Sequence, residues 1–165
     1  MAETMVRMGE FAFSASAGDV LVSLGLGSCV GVALLDRRAI VAGLAHVVLP
    51  AAEGRSEAPG KYADTAVPAL VDAVLGLGAR RLRLEAVLVG GASMFSFGGA
   101  GLDIGQRNDA AVREELARLR IPVAAAETGG SRGRTVRVDV QTGVVTAKAA
   151  GDAVVELYPT ALVTA

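Results

Sequence analysis

The chain has 165 residues, 52% of them hydrophobic and 20% charged, a composition that builds a buried core and excludes a disordered chain. Its formal net charge of −1 leaves no bulk positive field for gripping nucleic acid. A single cysteine excludes an intrachain disulfide framework, and the longest apolar stretch, residues 40–52, is broken by His46 and Pro50 and falls short of the roughly 20 residues a spanning helix needs.

Met1-Ala2-Glu3-Thr4 has no basic segment leading into an apolar one, so no signal peptide is expected. The chain reads as one soluble cytoplasmic domain over residues 1–165. Aromatics are only 4% and tryptophan is absent, so the core must come from Val, Leu, Ile and Ala.

In chain order, Met5–Phe13 alternates loosely, Val20-Leu21-Val22 leads into Gly25 and Gly27, and Val30–Leu35 and Ile40–Leu49 are short apolar runs; all read as strands. The charged turn Asp36-Arg37-Arg38 joins the last two into a hairpin. Residues 51–60, with Gly54, Pro59 and Gly60, read as a loop. From Ala63 to Leu77 the period becomes helical through Val67, Leu70, Val71, Val74 and Leu75, with Asp64 as the expected N-cap. Pro68 suits a first turn but would kink a helix begun near Lys61. Leu82–Val89 reads as a strand, and a glycine-rich loop follows through Gly101. Asn108–Arg120 predicts a helix with Val112, Leu116 and Leu119 on one face and Glu114, Glu115 and Arg118 on the other. Ile121–Ala126 is a strand, 128–134 a loop, and Val136–Val140 with Val144–Lys148 a hairpin about Gln141-Thr142-Gly143. Signals beyond Ala150 are weak. Many strands precede the helices instead of alternating with them, which favours an α+β sandwich over a doubly wound parallel sheet.

Cys29 and His46 are the only cysteine and histidine; Cys29 immediately precedes the 30–49 hairpin and His46 lies near its far end. A hairpin brings its far ends together, so thiol and imidazole can meet, the minimum equipment of cysteine nucleophilic catalysis. Packing competes with chemistry at both positions. Cys29 also suits a small buried hydrophobe, and His46, in an apolar run, a satisfied core residue. Gly25, Gly27 and Ser28 before Cys29 let backbone N–H groups converge into an oxyanion hole, with Gly27 and Ser28 the candidate donors. Burial would hold His46 neutral and ready to accept a proton. Its second nitrogen needs an orienter, for which Ser23 and a backbone carbonyl are candidates, while Asp36 sits at the opposite end of the hairpin. An activated Cys29 is expected to alkylate quickly near neutral pH.

One Cys and one His give too few ligands for zinc, so no metal and no cofactor is expected. The glycine clusters match neither a dinucleotide nor a phosphate loop and lack G-x-S-x-G. Arg132 and Arg134 read as solvated charges. Met94 and Phe95 would either tuck into the core or form a contact patch for a partner or substrate.

Gly25-Leu26-Gly27-Ser28-Cys29-Val30, His46-Val47-Val48-Leu49-Pro50, Lys61-Tyr62-Ala63-Asp64, Gly90-Gly91-Ala92-Ser93-Met94, Ile104-Gly105-Gln106-Arg107-Asn108 and Thr128-Gly129-Gly130 with Arg134 occur in this order. Together they resemble the chemoreceptor glutamine deamidase family, CheD, over about residues 5–149. The resemblance implies a three-layer α/β/β sandwich of mostly antiparallel and mixed strands with two main helices on one side, similar to the catalytic domain of deamidating bacterial toxins. It implies hydrolysis of glutamine side chains on methyl-accepting chemotaxis receptors to glutamate and ammonia, through Cys29 as nucleophile and His46 as base. Ser23 stands where the family usually has a threonine, keeping the hydroxyl but losing the β-branch. The receptors would be the substrate, and a CheC-type CheY-phosphate phosphatase a binding partner. On the alternative reading the chain is a non-catalytic regulatory partner of that phosphatase.

Overall fold

The computed structural model describes residues 2–55, 57–93 and 103–159. The strands are β1 (Ala2–Met5), β2 (Phe11–Ser14), β3 (Asp19–Leu26), β4 (Val30–Asp36), β5 (Val41–Val47), β6 (Glu85–Gly90), β7 (Val123–Thr128), β8 (Arg134–Asp139), β9 (Val145–Ala149) and β10 (Val155–Tyr158). The helices are α1 (Ala63–Gly76), between β5 and β6, and α2 (Ile104–Arg118), between β6 and β7. One sheet has the order β1-β3-β8-β9-β10, the other β2-β5-β4-β6-β7. The pairs β1–β3 and β6–β7 are parallel; the remaining pairs are antiparallel. The fold is α+β with three layers: the β1-side sheet outside, the β4-side sheet in the middle, and both helices on its far face.

The middle sheet is apolar on both faces because both are covered. Val30, Val32 and Leu34 of β4 pack toward α1 and α2, where Val67, Leu70, Val74, Val112 and Leu116 meet them. Ala33 and Leu35 point the other way, into a second core with Leu21, Val136, Val138 and Val145 of the outer sheet. The outer sheet is covered on one face only, so its strands alternate: Val136 and Val138 are buried while Arg137 between them is not. Among the described residues no helix is long and apolar enough to cross a membrane.

Several sequence expectations shift. The 5–13 run divides into the end of β1, a crossover at residues 6–10 that passes from one sheet to the other, and β2. Asp64 does not cap α1: the N-cap is Tyr62, without a side-chain bond, and the Asp64 carboxylate instead accepts the Ala52 N–H at 2.9 Å, tying down the preceding loop. α1 runs through Pro68 from its start at Ala63. α2 begins four residues before Asn108, under a reciprocal capping box in which Asp103 accepts from the Gln106 N–H and Gln106 from the Asp103 N–H. β6 starts at Glu85, because residues 81–83 form a 3-10 turn with Leu82 fully exposed. Past Ala150, β10 adds an edge strand whose Tyr158 is buried and donates to Glu85 at 2.6 Å.

Candidate active site

The β4–β5 register sets the geometry. Gly31 pairs with His46, so the two residues share a face, and Cys29, two positions before Gly31, falls diagonally from His46 on that face. A side chain at Gly31 would point at Leu26 and Val136, so the face is the one between the sheets. Cys29 belongs to that inter-sheet core and is 8% exposed; His46 is 4% exposed.

The loop carrying Cys29 is clamped from several sides. Gly91 N–H donates to the Cys29 carbonyl at 2.8 Å, and Ala92 N–H to the Gly27 carbonyl at 2.9 Å. Gly90 must be glycine here: its φ is +114°, and a Cβ would lie 2.2 Å from the Cys29 oxygen. From the helix layer, Asn108 of α2 donates to the carbonyls of Ser28 and Val48, both at 2.9 Å.

His46 is oriented by a backbone group. Its Nδ1 lies 3.0 Å from the Val6 carbonyl oxygen. A carbonyl only accepts, so Nδ1 carries the proton and Nε2 keeps its lone pair. The backbone of His46 is held by the 6–10 crossover, its N–H donating to Glu10 O at 3.0 Å and its carbonyl accepting from Gly9 N–H at 2.9 Å. Ser23, fully buried on β3, does not bond the imidazole. Its hydroxyl donates to the same Val6 oxygen at 2.8 Å, so Ser23 reaches His46 through the carbonyl they share.

Burial pushes the His46 imidazole below its usual range, against the opposing pull of the Val6 carbonyl and of Glu10. Burial likewise pushes the Cys29 thiol up, opposed by the Cys29 backbone N–H beside the sulfur. Both shifts favour the neutral forms, thiol and neutral imidazole. The thiolate fraction governs alkylation, so a raised thiol pKa works against fast alkylation near pH 7 unless His46 takes the proton.

His46 opens onto a groove of about 340 Å³ lined by Met5, Val6, Arg7, Met8, Val22 and Leu24. Met8 and Leu24 are well exposed there. Met94 and Phe95 lie outside the described residues. Arg134 is not a solvated charge: its guanidinium donates to Gly129 O at 2.8 Å and to Gly90 O at 3.4 Å. Arg132 is exposed and pairs with Asp152 at 2.5 Å. Among the described residues no group of three or more His, Cys, Asp or Glu side chains gathers that could hold a metal.

Two contributors escaped the sequence reading. Val6 acts through its main chain and leaves no side-chain signal. Asn108 was legible as an amide in register with Val112 and Leu116, four and eight residues on, but that face was read only from Val112 onward.

Residues 48–149 match the model of a family described as CheD chemotactic sensory transduction. The chain is 44% identical over 147 residues to the chemoreceptor glutamine deamidase CheD of Thermotoga maritima, covering 89% of this chain and 92% of that protein. A stretch that long within 165 residues takes in positions 23, 29 and 46 wherever it begins. A probable chemoreceptor glutamine deamidase CheD of Geobacillus kaustophilus is 47% identical over 147 residues, covering 86% of this chain and 89% of its own. One from Clostridium botulinum is 44% identical over 137 residues, covering 81% of this chain and 85% of its own.

Proposed function

The chain belongs to the CheD family of chemotaxis proteins, and from that membership we propose that it acts, as one deamidase domain, on glutamine side chains of methyl-accepting chemotaxis receptors, yielding glutamate and ammonia. The observation that carries the reading is the shared inter-sheet face of Cys29 and His46, with Nδ1 of His46 occupied by Val6 and Nε2 left as a base.

In the proposed mechanism the sulfur of Cys29 attacks the amide carbon as its proton passes to Nε2 of His46. The electron pair of the C=O bond moves to oxygen, and the oxyanion is held by backbone N–H groups of residues 27–29. His46 returns the proton to the departing nitrogen, which leaves as ammonia. Water then adds to the thioester, His46 taking its proton and restoring the thiol as glutamate leaves. Burial favours the neutral thiol and the neutral imidazole, which suits proton transfer in concert with attack. The Val6 carbonyl steadies the imidazolium formed midway, and Ser23 fixes that carbonyl. The apolar groove beside His46 suits the side of a receptor helix presenting the glutamine. A CheC-type phosphatase is the proposed protein partner, and the site of action the cytoplasm.

The test is mass spectrometry of receptor cytoplasmic domains incubated with wild type and with Cys29→Ala. The expected result is an amide-to-acid mass gain at defined glutamines with wild type alone. Receptor domains left unchanged by the wild type would overturn the reading.

A further inference from the structure

Asn108 lies on the buried face of α2, in line with Val112 and Leu116, and is itself fully buried. Its amide nitrogen spends both hydrogens on backbone carbonyls, Ser28 O and Val48 O, at 2.9 Å each. Its Oδ1 is buried and has no hydrogen-bond partner among the described residues. An unpaired buried acceptor is costly, so packing alone would favour an apolar side chain, as at Val112 and Leu116. What an amide adds is two N–H groups on one atom; a hydroxyl has one donor and a carboxylate none.

The two carbonyls belong to the two halves of the candidate site. Ser28 immediately precedes Cys29, and Val48 follows His46 by two residues as the chain leaves β5. Bonded to one nitrogen, their oxygens lie no more than twice the bond length apart, so the thiol-bearing loop and the histidine strand are tied together. The Ser28–Cys29 peptide is trans and planar, so its C=O and N–H point in opposite directions. α2 packs on the face of the middle sheet opposite Cys29 and His46. Drawing the Ser28 carbonyl toward α2 therefore turns the Cys29 N–H toward the inter-sheet face, where thiol and imidazole lie. The far side of Cys29 is held independently, by Gly91 N–H on its carbonyl.

We infer that Asn108 is a positioning residue of this site: by pinning the Ser28 carbonyl against α2 it aims the Cys29 N–H at the sulfur and at the oxyanion formed there, and through Val48 it sets the spacing of Cys29 and His46. The oxyanion part rests on the deamidase reading. The aim of the N–H at the sulfur is read without substrate.

The test compares the 165-residue wild type with Asn108→Ala and Asn108→Ser. Iodoacetamide alkylation of Cys29 is followed against pH below the melting temperature of each protein, alongside deamidation kinetics on receptor cytoplasmic domains. In Asn108→Ala the midpoint of the alkylation profile is expected to rise by about half a pH unit or more, as the sulfur loses an aligned donor. The kcat should fall about ten-fold or more with KM within about two-fold, the mark of an interaction made in the transition state. Asn108→Ser, which keeps one donor, should recover part of both effects. An alkylation profile in Asn108→Ala that superimposes on wild type overturns the inference even if the melting temperature drops, since a purely structural clip predicts that pattern. If the alanine variant does not fold, the serine variant is judged by the same profile. A shifted profile together with a wild type that leaves receptors unmodified overturns the deamidase reading and keeps the positioning role.

Discussion

The two ends of the β4–β5 hairpin both bury polar side chains, and they differ in how fully those side chains are used. At the turn, the Asp36 carboxylate is completely buried and saturated. It accepts from Arg38 N–H and Ala39 N–H at 3.1 and 3.0 Å, from Arg80 N–H at 2.8 Å and from Arg83 Nε at 3.0 Å. Burial would raise its pKa, but Arg83 and the N–H groups of Arg80 and Ala39 together hold it below the usual carboxylate range. At the open end, neither the Nε2 of His46 nor the Oδ1 of Asn108 makes a hydrogen bond among the described residues. A saturated buried group contributes to stability, and an unsaturated one beside a groove is free to act on something else. By that difference one end of a single hairpin is structural, and the other suits the proposed chemistry.

The contrast breaks most directly at Cys29. Cys29→Ala should reduce ammonia release below detection while shifting the melting temperature by only a few degrees. Deamidation surviving in that variant would remove the thiol from the mechanism. His46→Gln should lower kcat by about 10²–10⁴-fold, the usual worth of a general base, with little change in KM. The pH profile sharpens the same point. The imidazole is held below its usual value, so activity should persist at pH 6.5 and fall only as pH drops further through the lowered His46 pKa. An acid limb above pH 6.5 would contradict a buried, neutral base.

At the saturated end the expected effect is on stability instead of rate. Asp36→Asn should cost about 3 kcal/mol in urea unfolding, because it leaves Arg83 without its charge partner. At temperatures where the variant is folded, kcat should stay within about two-fold of wild type. The folded-state pKa of Asp36 is depressed, so its contribution is present above the unfolded value and lost as pH falls through the folded one. Wild type should therefore lose stability below about pH 4 more steeply than Asp36→Asn does. A large loss of kcat in folded Asp36→Asn would erase the distinction between the two ends. The smallest effect is expected at Ser23, which acts two bonds away from the imidazole. Ser23→Ala should lower kcat by only a few-fold and Ser23→Thr should be tolerated; equal rates for all three would remove Ser23 from the site.

Much of the architecture was legible from local pattern. The hairpin around Asp36 follows from two apolar runs and a charged turn, and α1 from Val67, Leu70, Val71 and Val74 at helical spacing. The weaker readings have local causes. The capping box at Asp103 and Gln106 starts α2 at Ile104, well ahead of its apolar face, which begins at Val112 only after the amide of Asn108. β10 pairs only at an edge, and its Val155 and the preceding Val154 are both exposed, which leaves it almost no period to find.

The residue types of the site were determined by the sequence alone, because Cys29 and His46 are the only thiol and imidazole and sit at the same end of one hairpin. What holds them there was decided only in three dimensions. The orienting acceptor is the Val6 carbonyl, forty residues from His46, and the clip on the thiol loop is Asn108, eighty residues from Ser28. Main-chain groups are the same at every position in a sequence. Which carbonyl faces an imidazole, and which amide reaches a loop, is settled by the packing of sheet on sheet and helix on sheet.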